Sequence, residues 1–199
     1  MAYELANDPY VDPATGVMRN RHSIRDMATL ARIEQNYATL MATRIMQEWR
    51  PDHWDAALLC QLHHELFGGI YDWAGSYRTV EISKGTSRFA MAAYISAQTS
   101  TLLAHLESEH GHWNRGDQAV LDKLAHYYSE LNAIHPFREG NGRTIRLFLA
   151  LLARHHGWLL QWENTSAVEN IAVCEQAFYG DEAPLRAMMQ RIGRRIGAD

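Results

Sequence analysis

The chain has 199 residues, a net charge of −4 and a hydrophobic content of 47%. That length is typical of one large domain, and the hydrophobic content is sufficient for a buried core. The acidic balance argues against a general polyanion binder, because nucleic-acid-binding domains carry a basic excess, so we expect no nucleic-acid partner. Cys60 and Cys174 lack CxxC spacing, which favours a reducing compartment and free thiols.

Neither a targeting segment nor a membrane span is indicated by the sequence. The first residues lack the charged and apolar regions of a signal peptide. The longest apolar run, residues 147–153, is much too short to cross a bilayer. We therefore expect a cytoplasmic protein with no membrane partner.

The N-terminal half predicts an irregular arm followed by two helices. Residues 7–22 are rich in turn formers, so residues 1–22 should form the arm. Ser23 or Asp26 can cap a helix that runs to about Trp49. Asp52 can cap a second helix, which Gly68-Gly69 should end.

A small β-hairpin is predicted over residues 77–90. Side chains alternate from Tyr77 to Ser83, which favours a strand, and residues 84–87 resemble a turn. Residues 88–90 would then return as a second strand. This segment carries the only convincing strand pattern in the chain.

The remaining elements are predicted helices. They cover residues 92–110, 117–134, 141–152, 166–179 and 182–196. The helix from Asn141 is apolar almost all round, so it should be buried at the centre, and Gly157 should follow its end. The fold class is therefore all-α, a single domain over 1–199 with one small hairpin.

Residues 135–146 concentrate the chemistry of the chain, within the predicted helix–loop–helix core at 117–157. Pro136 disfavours the helical conformation at His135, so the imidazole should lie just past the last turn of a helix. Histidine titrates near neutral pH and can accept a proton from a hydroxyl.

The second half of this loop predicts an anion site. Gly140, Asn141 and Gly142 lead into a helix, whose first amide groups and dipole favour an anion. Arg143 and Arg146 lie three residues apart, hence on one helix face, and arginine matches phosphate geometry. The Gly-Lys-Ser/Thr of a P-loop is absent.

Glu139 precedes the glycines and predicts a metal ligand. A carboxylate beside phosphates is repulsive unless a cation lies between them, and Mg²⁺ binds in this way. Together these residues indicate transfer from a nucleotide to a hydroxyl, without defining which phosphorus is attacked. As a polar corner, the loop could instead be structural, and Glu139 could simply favour the helix dipole.

The run from His135 to Arg146 resembles the His-Pro-Phe-x-Asp/Glu-Gly-Asn-Gly-Arg-x-x-Arg signature of Fic-domain proteins at every fixed position. The resemblance implies a Fic fold, a helical bundle of about six to eight helices with a hairpin flap. It also implies an adenylyltransferase that moves AMP from ATP with Mg²⁺ to a Ser, Thr or Tyr hydroxyl of a target protein.

Carried over by position, the resemblance implies a role for each loop residue. His135 would be the base, and Glu139 would hold Mg²⁺ between the α- and β-phosphates. Gly140, Asn141, Gly142 and Arg143 would form the anion hole, and Arg146 would reach the γ-phosphate. We expect Lys84 and Thr86 in the flap to contribute to nucleotide binding, and residues 80–90 to bind the target by strand addition.

The N-terminal arm is similar to that of the bacterial toxin branch of the family, which implies inhibition by a small antitoxin and type II topoisomerase subunits as targets. Thr165–Asn170 fits the family's Ser/Thr-x-x-x-Glu-Gly/Asn silencer pattern. It lies where an ordinary core helix is expected, so we favour an antitoxin that supplies the glutamate.

Other functions remain open to the same sequence. The pocket could transfer a phosphoryl or phosphocholine group or remove AMP, and an inert Fic fold could be a binding module. His63-His64, His110/His112 and His155-His156 suggest metal ligands, but adjacent histidines on a helix face different ways. We expect them to be surface or core residues.

Overall fold

The computed structural model describes residues 8–84 and 87–197. These residues form seven α-helices and two small antiparallel sheets. The helices are α1 (Met27–Glu48), α2 (Ala56–Phe67), α3 (Ile95–His110), α4 (Ala119–Ile134), α5 (Asn141–His155), α6 (Ala167–Phe178) and α7 (Ala183–Ile192). The strands are β1 (Ser83–Lys84), β2 (Ser87–Arg88), β3 (Trp158–Leu160) and β4 (Gly193–Arg195). The predicted all-α class with a small hairpin is confirmed.

Helix α5 lies at the centre of the bundle. It packs against α1 and α2 on one side and against α4 on another, while α6 and α7 cover α4. Nearly every residue from Thr144 to Ala153 is buried. The apolar circumference that predicted a central helix is thus explained, because each face of α5 has a neighbour.

The predicted N-terminal cap is correct for α1 and wrong for α2. Asp26 caps α1 through a hydrogen bond from the Thr29 N–H, as expected. The cap of α2 is Asp55, whose carboxylate accepts the Leu58 N–H, and the predicted cap at Asp52 is wrong. Trp54 therefore precedes the helix, where its side chain is fully buried.

The flap hairpin is shorter than predicted. Ser83 pairs with Arg88 and Lys84 with Ser87, whereas residues 77–82 form no strand. The predicted strand Tyr77–Ser83 is therefore wrong over most of its length. The cause is Arg78, because its N–H donates to the Pro136 carbonyl at 2.9 Å and so directs this segment towards the loop.

A second sheet was missed by the sequence. The predicted helix 182–196 ends at Ile192, and β4 then pairs with β3, Trp158 lying opposite Arg195. The change from helix to strand occurs at Gly193. A side chain would not fit at this position, since a Cβ there would lie 2.7 Å from Leu121 Cδ1. This sheet fixes residues 193–195 against the segment that follows α5.

No helix in the described part of the chain is long and apolar enough to span a membrane. Neither Cys60 nor Cys174 forms a disulfide bond within the described residues.

Candidate active site at the start of the central helix

His135 lies just past the end of α4, in a conformation that side chains rarely adopt. Its φ is +50°, in the left-handed region. Nδ1–H donates to the Asn132 carbonyl at 3.2 Å, and because a carbonyl can only accept, Nε2 is left with its lone pair. The ring stacks on Phe89 with centroids 3.9 Å apart. The imidazole is therefore held in the tautomer and orientation that a general base requires.

Arg78 connects the flap to this loop from within the core. Its guanidinium is buried and donates to the carbonyls of His135 at 2.9 Å, Val80 at 2.7 Å and Ala90 at 2.5 Å. These carbonyls belong to the end of α4 and to both arms of the flap. Because one planar group joins all of them, the position of His135 depends on the base of the flap.

His63 forms the floor of the loop. Its ring stacks on Phe137 with centroids 3.9 Å apart. Nε2–H donates to the Glu139 carbonyl at 3.0 Å, and Nδ1 accepts the Gly75 N–H at 2.8 Å. Burial lowers the pKa of His63 to about 3. It is a neutral core histidine, as expected, and it fixes the backbone beside Glu139.

Asn141 closes the loop internally. Its side chain accepts the Phe137 N–H at 2.8 Å and donates to the Phe137 carbonyl at 2.7 Å. Both groups are buried. Because the carboxamide binds the loop in this way, we assign the contact of Asn141 with a ligand to its backbone amide.

The N-terminus of α5 is open to an anion. Gly140 occupies the cap position with φ +80°, and no side chain in the described part of the chain caps the helix. A Cβ on Gly140 would lie 2.4 Å from the Phe67 ring, so only glycine fits. Gly142 lies in the first turn of the same helix. The first amide groups of α5 lack intrahelical acceptors and therefore favour a phosphate.

Arg143 is held between two carboxylates. Its Nη2 lies 2.5 Å from Glu34 Oε1 and 3.6 Å from Glu139 Oε1. Glu34, buried on α1, also accepts a hydrogen bond from the Tyr71 hydroxyl. Burial, together with this carboxylate, raises the pKa of Tyr71, so the phenol remains a donor. The direction of Arg143 is thus set by residues remote in sequence.

Arg146 differs from Arg143 in its partners. Its guanidinium lies 5.9 Å from the Trp162 ring, and its positive charge acts on the nearby Tyr128 hydroxyl, which donates to Asn170. Within residues 8–84 and 87–197, no carboxylate comes within ion-pair distance of it. Its positive charge therefore remains available to an anion.

Glu139 fits the requirements of a metal ligand. Its side chain is 36% exposed, and Oε1 accepts the Gly140 N–H at 3.0 Å. In the described part of the chain, Oε2 makes neither a hydrogen bond nor an ion pair. A hard oxygen donor beside a phosphate site is the ligand that Mg²⁺ prefers.

Glu169, the glutamate of the silencer-like segment, is engaged elsewhere. Its carboxylate accepts from the Thr165 hydroxyl at 2.8 Å and lies 2.5 Å from Arg191 Nη2. These bonds lower its pKa. Ser166 caps α6, and Thr165 precedes it. The segment is therefore an ordinary helix start, and Glu169 does not pair with Arg146.

The structure brings together His135, Glu139, Gly140, Asn141, Gly142, Arg143 and Arg146. Thr86 and the side chain of Lys84 lie outside the described residues, so their predicted contact with nucleotide stays a prediction. Glu34 and Phe89 were missed as site residues. No local signal marks Glu34, since 109 residues separate it from Arg143. Phe89 could have been noticed as an aromatic residue in the predicted flap.

Comparison with known families identifies the fold and the loop together. Residues 53–153 match the Fic/DOC family. This range includes α2, the flap, α4 and most of α5, and therefore every residue of the candidate site except Glu34. The chain belongs to the Fic/DOC family.

Curated relatives carry names that specify an activity. The chain is 38% identical to the "Probable protein adenylyltransferase Fic" of Salmonella typhimurium over 92% of this chain and 91% of that protein. It is 37% identical to the "Protein adenylyltransferase VbhT" of Bartonella schoenbuchensis over 98% of its own length. It spans only 42% of that second relative.

Solved structures show the same fold. The BepC effector protein of Bartonella tribocorum, crystallised with AMPPNP, matches with a TM-score of 0.86 at 23% identity, over 94% of this chain and 96% of that one. The N-terminal Fic domain of a Bartonella quintana effector, crystallised with ADP, matches with a TM-score of 0.88 at 22% identity, over 94% and 95%. The predicted Fic fold is confirmed.

Proposed function

We propose that the protein is an adenylyltransferase that moves AMP from ATP to a hydroxyl of a target protein. The observation that carries this proposal is the pairing, within one loop, of an oriented imidazole and an uncapped helix N-terminus flanked by two arginines. The names of its curated relatives support the same reaction. The specific reaction is attack of the hydroxyl oxygen on the α-phosphorus.

His135 accepts the proton of the target hydroxyl at Nε2 while its Nδ1–H remains bonded to Asn132. A bond forms between the hydroxyl oxygen and the α-phosphorus, and the bond to pyrophosphate breaks. The amide groups at the start of α5 and Arg143 neutralise the charge on the phosphates, and Arg146 binds the terminal phosphate. Glu139 would hold Mg²⁺, which would supply further neutralisation of the phosphate charge.

Labelled ATP tests this reaction. The protein is incubated with bacterial lysate and with ATP labelled at the α or the γ position. Labelling of protein from the α position alone is expected, whereas labelling from the γ position would establish a kinase instead. His135→Ala should abolish labelling and leave the fold intact, and His112→Ala, an exposed histidine outside the loop, should not.

The absence of any label would favour an inert binding module, provided that ATP still binds. Phosphocholine transfer and AMP removal are checked with the corresponding donors and with AMP-modified protein. Omission of Mg²⁺ and the Glu139→Gln variant should both reduce transfer. If Glu139→Gln kept full activity, the metal assignment would be wrong.

We further propose that this enzyme acts as a bacterial toxin on type II topoisomerase subunits. A small antitoxin would inhibit it by placing a glutamate on Arg146. Two observations support the inhibitory contact: Arg146 has no carboxylate partner among the described residues, and Glu169 is paired with Arg191. The flap at 80–90, with its two-residue strand β1, is the proposed docking edge for the target.

Expression in bacteria and labelling of purified subunits test this second proposal. Wild-type protein should arrest growth, and purified topoisomerase subunits should accept label from the α position. Glu169→Gly should leave activity unchanged. A large rise in activity would identify Glu169 as an internal silencer and remove the need for an antitoxin.

A further inference from the structure

Three histidines meet at the end of α5 that lies opposite the loop. His110 is the last residue of α3, His155 the last of α5, and His156 follows α5 directly. Potential ligand atoms of all three lie within 4.8 Å of one another, and their ring centroids are 5.0–5.9 Å apart. The expectation that adjacent histidines face different ways is wrong here, because the helix ends between His155 and His156. We call these three residues the histidine cluster.

Two nitrogens of the histidine cluster are buried and have no partner among the described residues. His110 Nδ1 and His156 Nε2 make no hydrogen bond to the described residues. His156 is only 5% exposed, and the side chain of His110 is 11% exposed. A buried polar atom without a partner is costly, and such atoms call for a water or an ion.

Glu107 orients His110 from the far side of its ring. Its Oε2 lies 3.4 Å from His110 Nε2 and accepts the Trp54 N–H at 2.6 Å. A histidine that binds a metal usually gives its second nitrogen to a carboxylate in this way. The arrangement leaves His110 Nδ1 as the nitrogen that can bind a metal.

Charges around the histidine cluster act on a bound cation in opposite directions. Arg115 opposes a cation, whereas the negative end of the α5 dipole favours one.

From this geometry we infer that His110, His155 and His156 bind one divalent transition metal ion of the zinc class. Three imidazoles leave a fourth position for water, a common arrangement for Zn²⁺. Ligand nitrogens around tetrahedral Zn²⁺ lie about 3.3 Å apart, so the rings must close by up to roughly 1.5 Å. The exposed His155 can supply much of this movement.

The site is separate from the catalytic loop. A helix of fifteen residues is about 22 Å long, and α5 places the two sites at its two ends. A second group, His126, Glu130 and Glu182, is less suitable, because Glu182 already accepts from Arg186 at 2.8 Å. The proposal therefore does not depend on the adenylyltransferase assignment.

Titration of the full chain with Zn²⁺ tests this inference. Binding is measured against a chromophoric chelator in the absence of nucleotide. Wild-type protein should bind one equivalent at the histidine cluster, and Zn²⁺ should raise the thermal midpoint. His155→Ala, at an exposed position, should weaken this binding by about 10-fold or more, and Glu107→Gln by roughly 10- to 100-fold.

His112→Ala is the matched control, an exposed histidine just beyond His110 and outside the cluster. It should bind Zn²⁺ as the wild type does. The inference is overturned if the wild-type protein takes no Zn²⁺ from the chelator. It is also overturned if His155→Ala and His112→Ala bind equally, since the buried nitrogens would then be satisfied by water. Co²⁺ should give a tetrahedral visible spectrum that His155→Ala loses.

Discussion

Glu34 shows how one buried side chain controls the loop from another helix. It receives Arg143 on one oxygen and the Tyr71 hydroxyl on the other. A free guanidinium would sample several directions, whereas this one is directed by two partners on other elements. Arg143 therefore meets a phosphate without first losing side-chain freedom.

Replacing Glu34 with Ala should lower kcat for AMP transfer by about 10-fold or more, because a small displacement of a positioned group is costly. The KM for ATP should change less, since Arg146 and the helix amides remain. Steady-state kinetics with purified target measure both constants. Glu48→Ala, at the exposed end of α1, is the control, and an equal effect of both variants would contradict a positioning role.

The protonation of His63 predicts a pH dependence of stability. Its pKa is about 3 in the folded protein and about 6.5 when unfolded. The stability that neutral, buried His63 gives the folded protein is therefore fully present above pH 6.5 and is lost as the pH falls towards 3. Between pH 7 and pH 5, His63 alone should lower the free energy of unfolding by about 2 kcal/mol.

Urea unfolding at both pH values measures this change. In His63→Gln the loss between pH 7 and pH 5 should be smaller, because glutamine does not titrate. His112→Gln, at an exposed position, should keep the wild-type loss. If all three proteins lost the same free energy, other groups would account for the acid sensitivity.

At the scale of elements, the start of α5 tolerates only one residue type. Gly140 combines a φ of +80° with a contact that would place a Cβ 2.4 Å from Phe67. Gly180, after α6, has a φ of +99° but open space around it. Substitution of Gly180 therefore tests backbone strain alone, whereas substitution of Gly140 tests backbone strain together with a steric clash.

Gly180→Ala should cost about 1 kcal/mol of unfolding free energy through strain alone. Gly140→Ala should cost at least twice as much and should abolish AMP transfer, because Phe67 or the loop must move. Chemical denaturation and the labelling assay measure the two effects. Equal costs for both variants would show that Phe67 yields freely.

Helices and strands differed in how well the sequence predicted them. Caps and apolar periods lie within a few residues of each helix, so α1, α4, α5 and α6 were predicted to within two or three residues. Strand β4 could not be, because Gly193–Arg195 is extended only through pairing with residues 158–160. The alternation at 77–83 failed because Arg78 binds carbonyls of the loop.

At the scale of the whole molecule, the N-terminal arm is fixed to the active-site loop by an ion pair. Asp8 and Arg138 are 2.5 Å apart, and each side chain is 4% exposed. A second pair joins Arg21 of the arm to Asp72 at 2.7 Å, but both side chains are well exposed. The arm therefore has one buried and one exposed ionic contact.

Asp8→Asn should lower the free energy of unfolding by about 3–5 kcal/mol, because it removes the charge of the Asp8 carboxylate from beside a buried guanidinium. Asp72→Asn should cost no more than about 1 kcal/mol, since exposed pairs are screened by water. Urea unfolding of both variants gives the comparison. Equal losses would indicate that solvent reaches Arg138.

These long-range pairs also mark the limit of sequence analysis for the site. The twelve residues from His135 to Arg146 could be interpreted alone because their chemistry is local. Asp8 and Glu34 could not, since each lies more than one hundred residues from its arginine. The same limit applies to His110, which meets His155 only after α3 and α5 have packed.

The two carboxylates around Arg143 have a consequence for turnover. A site with two unopposed arginines would bind ATP tightly, but it would hold pyrophosphate just as firmly after AMP has left. Glu34 Oε1 and Glu139 Oε1 lie 2.5 Å and 3.6 Å from Arg143 Nη2. The positive charge of Arg143, one of the two arginines that would bind pyrophosphate, is therefore already partly neutralised. The pairing that orients the substrate should therefore also speed the departure of the leaving group.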